Sequence, residues 1–177
     1  MGRVVVVRHA ETTWNAERRW SGHSDAPLSD LGRAQAAALG AAHVGQVDRV
    51  VASDLSRARD TAEAVRAACG LTSDVVVDPR LRERELGAWE GLTSPEIDER
   101  WPRLLEGWRT GVMLDIPGGE PWDDFLARVT DGLAALGGHE GTTLVVTHGG
   151  VFRAIEAAYD LPFRRMANAD SVVLELA

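Results

Sequence analysis

Short runs of aliphatic, mostly β-branched residues recur along this chain, and they constrain its fold more than any other feature. The first run is Val4–Val7, and similar runs stand in "DRVVAS" (Arg49–Ser53), "DVVVD", "TTLVVT" and "SVVLEL". An aliphatic run without polar alternation is typical of a strand that is buried on both faces of a parallel sheet. The runs therefore predict a central sheet that is covered on both sides.

Helical segments separate the predicted strands. The segment "LSDLGRAQAAALGAA" has Ser29 as a plausible N-cap, and "DLSRARDTAEAVRAACG" ends at Gly70. The segment "VFRAIEAAYD" also reads as a helix. Strands that alternate with helices predict an α/β fold, here a three-layer α/β/α sandwich around a mainly parallel sheet. A further helix in "EPWDDFLARVTDGLAALGG" has its apolar residues at helical spacing, namely Trp122, Phe125, Leu126, Val129, Leu133 and Leu136.

The length of the chain fits one domain, which we expect to span residues 1–177. Residues 80–120 are the part with the weakest periodicity, and they contain Trp89, Trp101 and Trp108. A long segment of this kind beside a sheet is more often a lid or a pocket wall than a domain. We therefore predict that residues 80–120 form a lid or a pocket wall.

Charge and cysteine content exclude several classes of protein. The formal net charge is −8, whereas nonspecific nucleic-acid binding needs a basic face. Cys69 is the one cysteine, so no disulfide framework is expected and a reducing compartment fits. Val4–Val7 is too short for a membrane span or a signal-peptide core. We expect a cytoplasmic protein without nucleic-acid or membrane partners.

Charged residues follow the predicted strands at the ends where parallel-sheet proteins bind ligands. Arg8 and His9 follow the first strand, Arg57 lies in the first helical turn after the second, and His148 precedes two glycines after the fourth. The third strand is followed by "LRERELGAWEG", which is rich in arginine and glutamate. We expect these side chains to meet at one edge of the sheet.

This combination of residue types indicates phosphate chemistry. Arginine binds phosphoryl oxygens in bidentate geometry and keeps its charge, and helix N-termini add free N–H groups. One histidine can attack phosphorus while a second stabilises the transferring group, and a carboxylic acid can protonate the leaving oxygen. The strand ends thus predict a site for transfer of a phosphoryl group.

Four segments together resemble the ordered signature of the histidine phosphatase (phosphoglycerate mutase-like) superfamily, in its phosphatase branch. They are "RHAETTWN", "SDLSRARDTA", "LRERELGAWEG" and "VVTHGG". The resemblance implies that His9 is the nucleophile and that Glu83 is the general acid. It further implies a phosphate clamp of Arg8, Arg57 and His148, and a substrate side formed by Asn15, Ser21 and Gly22, to which we add Gly149 as a candidate.

One position departs from the family pattern. The family usually has glycine after the Arg-His pair, and this chain has Ala10. Alanine is small enough to let a phosphate enter, but it excludes a backbone conformation that only glycine tolerates.

Other carboxylates and a metal site compete with this interpretation. In "LRERELG" the spacing favours Glu83 as the acid, with Glu85 solvated and Glu90 supporting the loop. Two histidines and a glutamate could in principle hold zinc, but two arginines in the same site would repel a cation. We therefore expect neither a metal nor another cofactor.

The function predicted is hydrolysis of small phosphomonoesters, with a small phosphorylated metabolite as the partner. A phosphoglycerate mutase is one alternative, and a non-catalytic phosphate-binding module is another, although the presence of both His9 and Glu83 argues against the module. We expect substrate specificity to lie in His23, the tryptophan-rich segment and Glu120. The sequence leaves open whether the protein is a homodimer.

Overall fold

The computed structural model describes residues 2–162, 164 and 166–175, and its centre is a mainly parallel sheet. Five strands are present in the described part of the chain, in the spatial order third, second, fourth, first, fifth. The last strand is antiparallel to the first, and the other pairs are parallel. The strands are β1 (Arg3–Arg8), β2 (Arg49–Ala52), β3 (Val76–Val77), β4 (Thr142–Thr147) and β5 (Ser171–Glu175).

Helices cover both faces of this sheet, which confirms the predicted α/β/α layers. None of them is long and apolar enough to cross a bilayer, as far as the described residues go. The helices are α1 (Thr13–Ala16), α2 (Asp30–Ala42), α3 (Ser56–Ala68), α4 (Ser94–Arg100), α5 (Pro102–Thr110), α6 (Trp122–Ala134) and α7 (Gly149–Ala158).

The N-cap predicted for α2 and the glycine predicted to end α3 are both present in the structure. The Ser29 hydroxyl accepts a hydrogen bond from the Gly32 N–H at 2.9 Å, so that Ser29 caps α2. Gly70 has a φ of +65°, directly after the last turn of α3. A left-handed residue at this position ends a helix, and glycine adopts that conformation without strain.

The first strand is the rigid centre of the fold. Val4–Val7 is buried on both faces. Val4 and Val6 pack with Phe125 of α6, whereas Val5 and Val7 pack with Ala62 of α3. Two apolar layers therefore fix the strand whose end carries Arg8 and His9.

One segment differs from the sequence-based expectation, and another is described only in part. The run "DVVVD" yields only the two-residue strand β3, and Val76 and Val77 are 49% and 46% exposed. β3 pairs on one side only, with β2, so most of this run lies at a solvent-exposed sheet edge. In the closing run "SVVLEL", Leu176 lies outside the described residues.

The segment 80–120 contains two helices, α4 and α5, in spite of its weak periodicity. Thr93 and Glu96 form a capping box at the start of α4, and α5 ends at Gly111, whose φ is +85°. Trp89 and Leu105 are buried together, in a small apolar cluster that is separate from the two main layers. The two helices therefore pack around an apolar cluster of their own.

Candidate active site

A cavity of about 680 Å³ lies at the carboxyl ends of the strands. It is lined by residues that follow β1, β2 and β4, together with residues from the segment 80–120. Eight of the residues predicted for the site line it: Arg8, His9, Asn15, Ser21, Gly22, Arg57, Glu83 and Gly149.

The His9 side chain is buried, and its orientation is fixed by the next residue. Nδ1 lies 2.7 Å from the carbonyl oxygen of Ala10. A carbonyl oxygen can only accept, so Nδ1 carries the proton and donates, and Nε2 keeps its lone pair. Burial, followed by the positive charges of Arg57 and Arg8, holds the pKa of His9 well below its ordinary value. His9 is therefore neutral at physiological pH.

Ala10 fits its position without strain. Its methyl group packs in a small buried cluster with Leu28 and Ala36, and it does not line the cavity. Ala10 is not among the described residues with a positive φ. Its N–H donates to Thr61 Oγ1 at 3.1 Å. Ala10 thus has a backbone conformation that any residue can adopt, and its methyl group points into the small cluster and not into the cavity.

Arg57 is fully buried, and a loop holds its guanidinium. Nη2 donates to the Gly22 carbonyl at 2.7 Å, and Nη1 donates to the Ser24 carbonyl at 2.9 Å. Its Nε and the Oγ of Ser21 are buried and lack a hydrogen-bond partner in the described part of the chain. Both residues line the cavity, so Arg57 brings a buried positive charge to it.

His148 lies behind His9 and does not line the cavity. Its Nε2 is 2.8 Å from Oγ of Ser53, and its ring centroid is 5.2 Å from that of His9. Burial, then the charge of Arg57, holds the pKa of His148 well below its ordinary value. Its Nδ1 is buried without a partner among the described residues. His148 therefore lies against the His9 ring and not on the cavity surface.

Glu83 is held at the start of α7. Its Oε2 accepts the Gly150 N–H at 3.0 Å, and its Oε1 accepts the Arg84 N–H at 2.8 Å. A Cβ on residue 150 would overlap Oε1 of Glu83, so only glycine lets the carboxylate approach the helix this closely. Glu83 lines the cavity and Glu85 is exposed, as the spacing predicted.

Glu90 supports the loop beside the cavity. Its carboxylate accepts N–H groups from His23 at 2.9 Å, Ser24 at 3.0 Å and Leu86 at 3.1 Å. Burial opposes the charge of this group, but the hydrogen bonds from Ser24, His23 and Leu86 outweigh it and lower the pKa of Glu90. Since the carbonyls of Gly22 and Ser24 hold Arg57, Glu90 positions the Arg57 guanidinium indirectly.

His23 and Glu120, in which we expect part of the substrate specificity to lie, do not line the cavity. His23 Nε2 donates to the Glu83 carbonyl at 2.7 Å. Arg128, which the sequence analysis missed, donates to the same carbonyl at 2.8 Å, and Glu120 binds Arg128 at 2.7 Å. These three residues position the Glu83 backbone.

Asn168 is the second residue that the sequence analysis missed. Its Nδ2 donates to the His9 carbonyl at 3.0 Å and to Oδ1 of Asn15 at 3.1 Å. The N–H of Thr12 donates to the same Oδ1 of Asn15, also at 3.1 Å. With Oδ1 occupied in this way, the Nδ2 of Asn15 is left as a donor for the cavity.

No group of three histidine, cysteine or acidic side chains that could hold a metal ion occurs within residues 2–162, 164 and 166–175. The cavity brings together Arg8, Arg57 and His9 around one carboxylate, Glu83. This arrangement suits an anion better than a cation.

Known proteins are similar to this chain in both sequence and fold. The sequence model of the histidine phosphatase superfamily (branch 1) matches residues 4–175 of this chain. The chain is 42% identical over 158 residues to phosphoglycerate mutase-like protein 4 of Arabidopsis thaliana, covering 86% of this chain and 68% of that protein. It is 40% identical over 159 residues to metal-independent phosphoserine phosphatase of the same plant, covering 86% and 66%.

A mycobacterial phosphatase is similar in structure. Glucosyl-3-phosphoglycerate phosphatase Rv2419c, solved with VO3, superposes with a TM-score of 0.85 at 36% identity, covering 98% of this chain and 90% of that chain. The chain is 45% identical over 150 residues to the bifunctional protein Rv2228c of Mycobacterium tuberculosis. The match covers 82% of this chain but only 41% of that protein. The chain belongs to the histidine phosphatase superfamily.

Proposed function

We propose that this protein hydrolyses small phosphomonoesters through a phosphohistidine intermediate on His9. The observation that carries the proposal is the hydrogen bond of 2.7 Å between His9 Nδ1 and the Ala10 carbonyl. It leaves Nε2 as the unprotonated nitrogen of a neutral imidazole, which is the form that attacks phosphorus. The rigid strand behind His9 favours an in-line approach.

In the first step, His9 Nε2 forms a bond to phosphorus while the bond from phosphorus to the alcohol oxygen breaks. Arg8 and Arg57, which line the cavity, stabilise the negative charge on the transferring group, and His148 lies behind the His9 ring. Glu83 gives its proton to the leaving oxygen, so that an alcohol departs. This step stores the phosphoryl group on the enzyme.

In the second step, water attacks phosphorus and the bond to Nε2 breaks. Glu83, now a carboxylate, takes a proton from the water, and inorganic phosphate leaves. His9 and Glu83 return to their starting protonation states, so the cycle balances without another reactant. Glu83 acts on both the leaving oxygen and the water because it lines the cavity with His9.

The proposal includes catalysis without a metal. Two arginines beside the nucleophile supply the positive charge that a cation would otherwise provide. The name of one relative, metal-independent phosphoserine phosphatase, agrees with this. We expect full activity in the presence of EDTA, and activity that disappears with the chelator and returns with a metal would contradict this part of the proposal.

A phosphoglycerate mutase is the second candidate, because one relative is named phosphoglycerate mutase-like. A panel of phosphate esters, assayed with and without a bisphosphoglycerate primer, separates the candidates. A phosphatase releases inorganic phosphate from several esters without primer, whereas a mutase interconverts phosphoglycerates and depends on the primer. A module that only binds phosphate would show neither activity, and that result would overturn the proposal.

A further inference from the structure

The peptide unit between Ala10 and Glu11 is held at both of its ends. The Ala10 carbonyl oxygen accepts a hydrogen bond from His9 Nδ1 at 2.7 Å, and the Glu11 N–H donates to Oε1 of Gln35 at 2.8 Å. The carbonyl and the N–H belong to one planar unit, so a partner at either end restricts its rotation. Gln35 therefore acts on the same peptide unit whose carbonyl fixes the orientation of the nucleophile.

The preceding peptide unit, between His9 and Ala10, is also held at both ends. The His9 carbonyl accepts a hydrogen bond from Asn168 Nδ2 at 3.0 Å, and the Ala10 N–H donates to Thr61 Oγ1 at 3.1 Å. With this unit fixed, the next one is the part of the turn that still has to be oriented. Gln35 is the side chain that holds its N–H.

The helix α2 docks on this turn through contacts that do not involve Gln35. The N–H of Ser29 donates to the Glu11 carbonyl at 2.9 Å, and the Ser29 hydroxyl donates to Oε1 of Glu11 at 2.7 Å. A Cβ on Gly32 would overlap the Glu11 carbonyl oxygen, so the helix backbone lies directly against the turn. Gln35 follows Gly32 by three residues and so lies on the same face of α2. Its hydrogen bond therefore orients one peptide unit in a contact that other groups already hold together.

The tautomer of His9 depends on the acceptor beside Nδ1. The side chain is buried, and the Ala10 carbonyl is the one hydrogen-bond partner of its ring within the part of the chain that the structure describes. A neutral imidazole carries a single proton. If the carbonyl turned away, this proton could move to Nε2, which would remove the lone pair that attacks phosphorus.

We propose that Gln35 is a positioning residue for the nucleophile. By accepting the Glu11 N–H, it directs the Ala10 carbonyl to His9 Nδ1 and thereby keeps Nε2 of His9 unprotonated. Gln35 is half-buried on α2 and does not line the cavity, so it acts through His9 and not on the substrate. Its effect on catalysis rests on the proposed phosphatase function, whereas its effect on the tautomer does not.

NMR spectroscopy of the protein with ¹⁵N-labelled histidine tests the effect on the tautomer without any substrate. Long-range ¹H–¹⁵N spectra distinguish the two neutral tautomers of an imidazole, and the signals absent from His9→Gln belong to His9. At neutral pH we expect the Nδ1–H tautomer of His9 in the unsubstituted protein. In Gln35→Met we expect both ring nitrogens to shift toward a mixture of the two tautomers. A His9 spectrum that Gln35→Met leaves unchanged overturns the proposal.

The variants at residue 35 separate the acceptor from the packing. Methionine keeps the length of glutamine but cannot accept the Glu11 N–H, and it favours a helix equally well. Gln35→Glu keeps an oxygen acceptor and should restore the Nδ1–H tautomer. A mixture of tautomers in both variants would show that the turn is loosened by any substitution, and would overturn the role of the acceptor. If Gln35→Met does not fold, Gln35→Ala carries the same comparison, since alanine is the strongest helix former.

The matched control is Gln46→Met, the same substitution at an exposed glutamine that follows α2. We expect it to leave the His9 signals and the hydrolysis of esters unchanged. A shift of the His9 signals in this control as large as that in Gln35→Met would overturn the assignment to Gln35.

Steady-state hydrolysis tests the effect on catalysis. We expect Gln35→Met to lower kcat/KM by about tenfold or more, the usual effect of removing a group that orients a catalytic side chain. Gln35→Glu should recover most of this loss, and the Kd of inorganic phosphate should stay within about twofold in both variants. An unchanged kcat/KM in Gln35→Met overturns the role in catalysis. Hydrolysis of no ester by the unsubstituted protein overturns the proposed function instead, and the NMR spectra then still decide whether Gln35 sets the tautomer.

Discussion

The Glu83 carboxylate accepts a hydrogen bond of 3.0 Å from the backbone N–H of Gly150, the second residue of α7. The contact requires that residue 150 has no Cβ, since that atom would overlap Oε1 of Glu83. A helix N-terminus stabilises a carboxylate through its free N–H groups and its partial positive charge. The position of the proposed acid thus depends on one glycine in another element.

Gly150→Ala is expected to displace the Glu83 carboxylate and to lower kcat by about 10²-fold or more, the usual contribution of a general acid. The measurement is steady-state hydrolysis of an ester with a poor leaving group, which needs protonation most. For an ester with a good leaving group, such as an aryl phosphate, the rate of the first step should fall much less. Equal losses in kcat/KM, which reports the first step alone, would contradict the role of Glu83 as an acid.

Gly149→Ala is the matched control for this glycine. A Cβ at residue 149 would meet nothing closer than Arg8 Nε at 3.7 Å, which is an ordinary contact. We expect this variant to lose much less activity than Gly150→Ala, although both add one methyl group to the same helical turn. Similar losses would mean that the first turn of α7 or the cavity beside it, rather than the Glu83 contact, is sensitive.

The two buried histidines predict that the protein loses stability in mild acid. The pKa values of His9 and His148 lie well below the ordinary histidine value of 6.5. Below pH 6.5 the unfolded chain therefore binds protons that the folded protein does not, and the free energy of unfolding falls as the pH falls. Each histidine contributes at most about 1.4 kcal/mol per pH unit.

Urea denaturation between pH 7.5 and 5.5 measures this effect, because most carboxylates titrate below that range. The free energy of unfolding should be level above pH 7 and should decrease below pH 6.5. His148→Gln and His9→Gln should each reduce the slope, whatever they do to the stability at pH 7.5. A slope that both variants retain would show that other groups cause it.

Glu90→Gln is expected to weaken phosphate binding without removing any group from the cavity. The glutamine NH2 would face the donors of Ser24 or those of His23 and Leu86, at a cost of about 1–3 kcal/mol. The loop that holds Arg57 would loosen, so KM should rise more than kcat falls. Glu99→Gln, an exposed change on α4, is the control and should leave both constants within about twofold.

The residues at the strand ends could be predicted because hydrophobic patterning places strands well. Val4–Val7 is a strand on sequence grounds, and Arg8 and His9 must then lie at its carboxyl end. The capping residues Ser29 and Gly70 also act where their residue types indicate. Residue types and the order of the motifs were enough to predict where the site lies in the fold. They were not enough to predict the hydrogen bonds that hold its side chains.

The supporting contacts could not be predicted, because they join distant parts of the chain. Arg128 looks like a solvated arginine on an amphipathic helix, and nothing in its neighbours indicates the Glu83 carbonyl 45 residues away. Asn168 lies 159 residues from His9 in the chain. The helices α4 and α5 were missed because tryptophans dominate the segment, even though Thr93 and Glu96 carry the capping-box pattern.

The central claim is that His9 carries the phosphoryl group, and trapping of the phosphoenzyme tests it most directly. The protein is mixed for milliseconds with an ester labelled with ³²P, quenched in alkali, and divided between acid and alkaline treatment. We predict label on the protein that acid releases and alkali does not, and that is absent from His9→Ala and His9→Gln. Label that persists in both variants, or that hydroxylamine and alkali release as from an acyl phosphate, would contradict the claim.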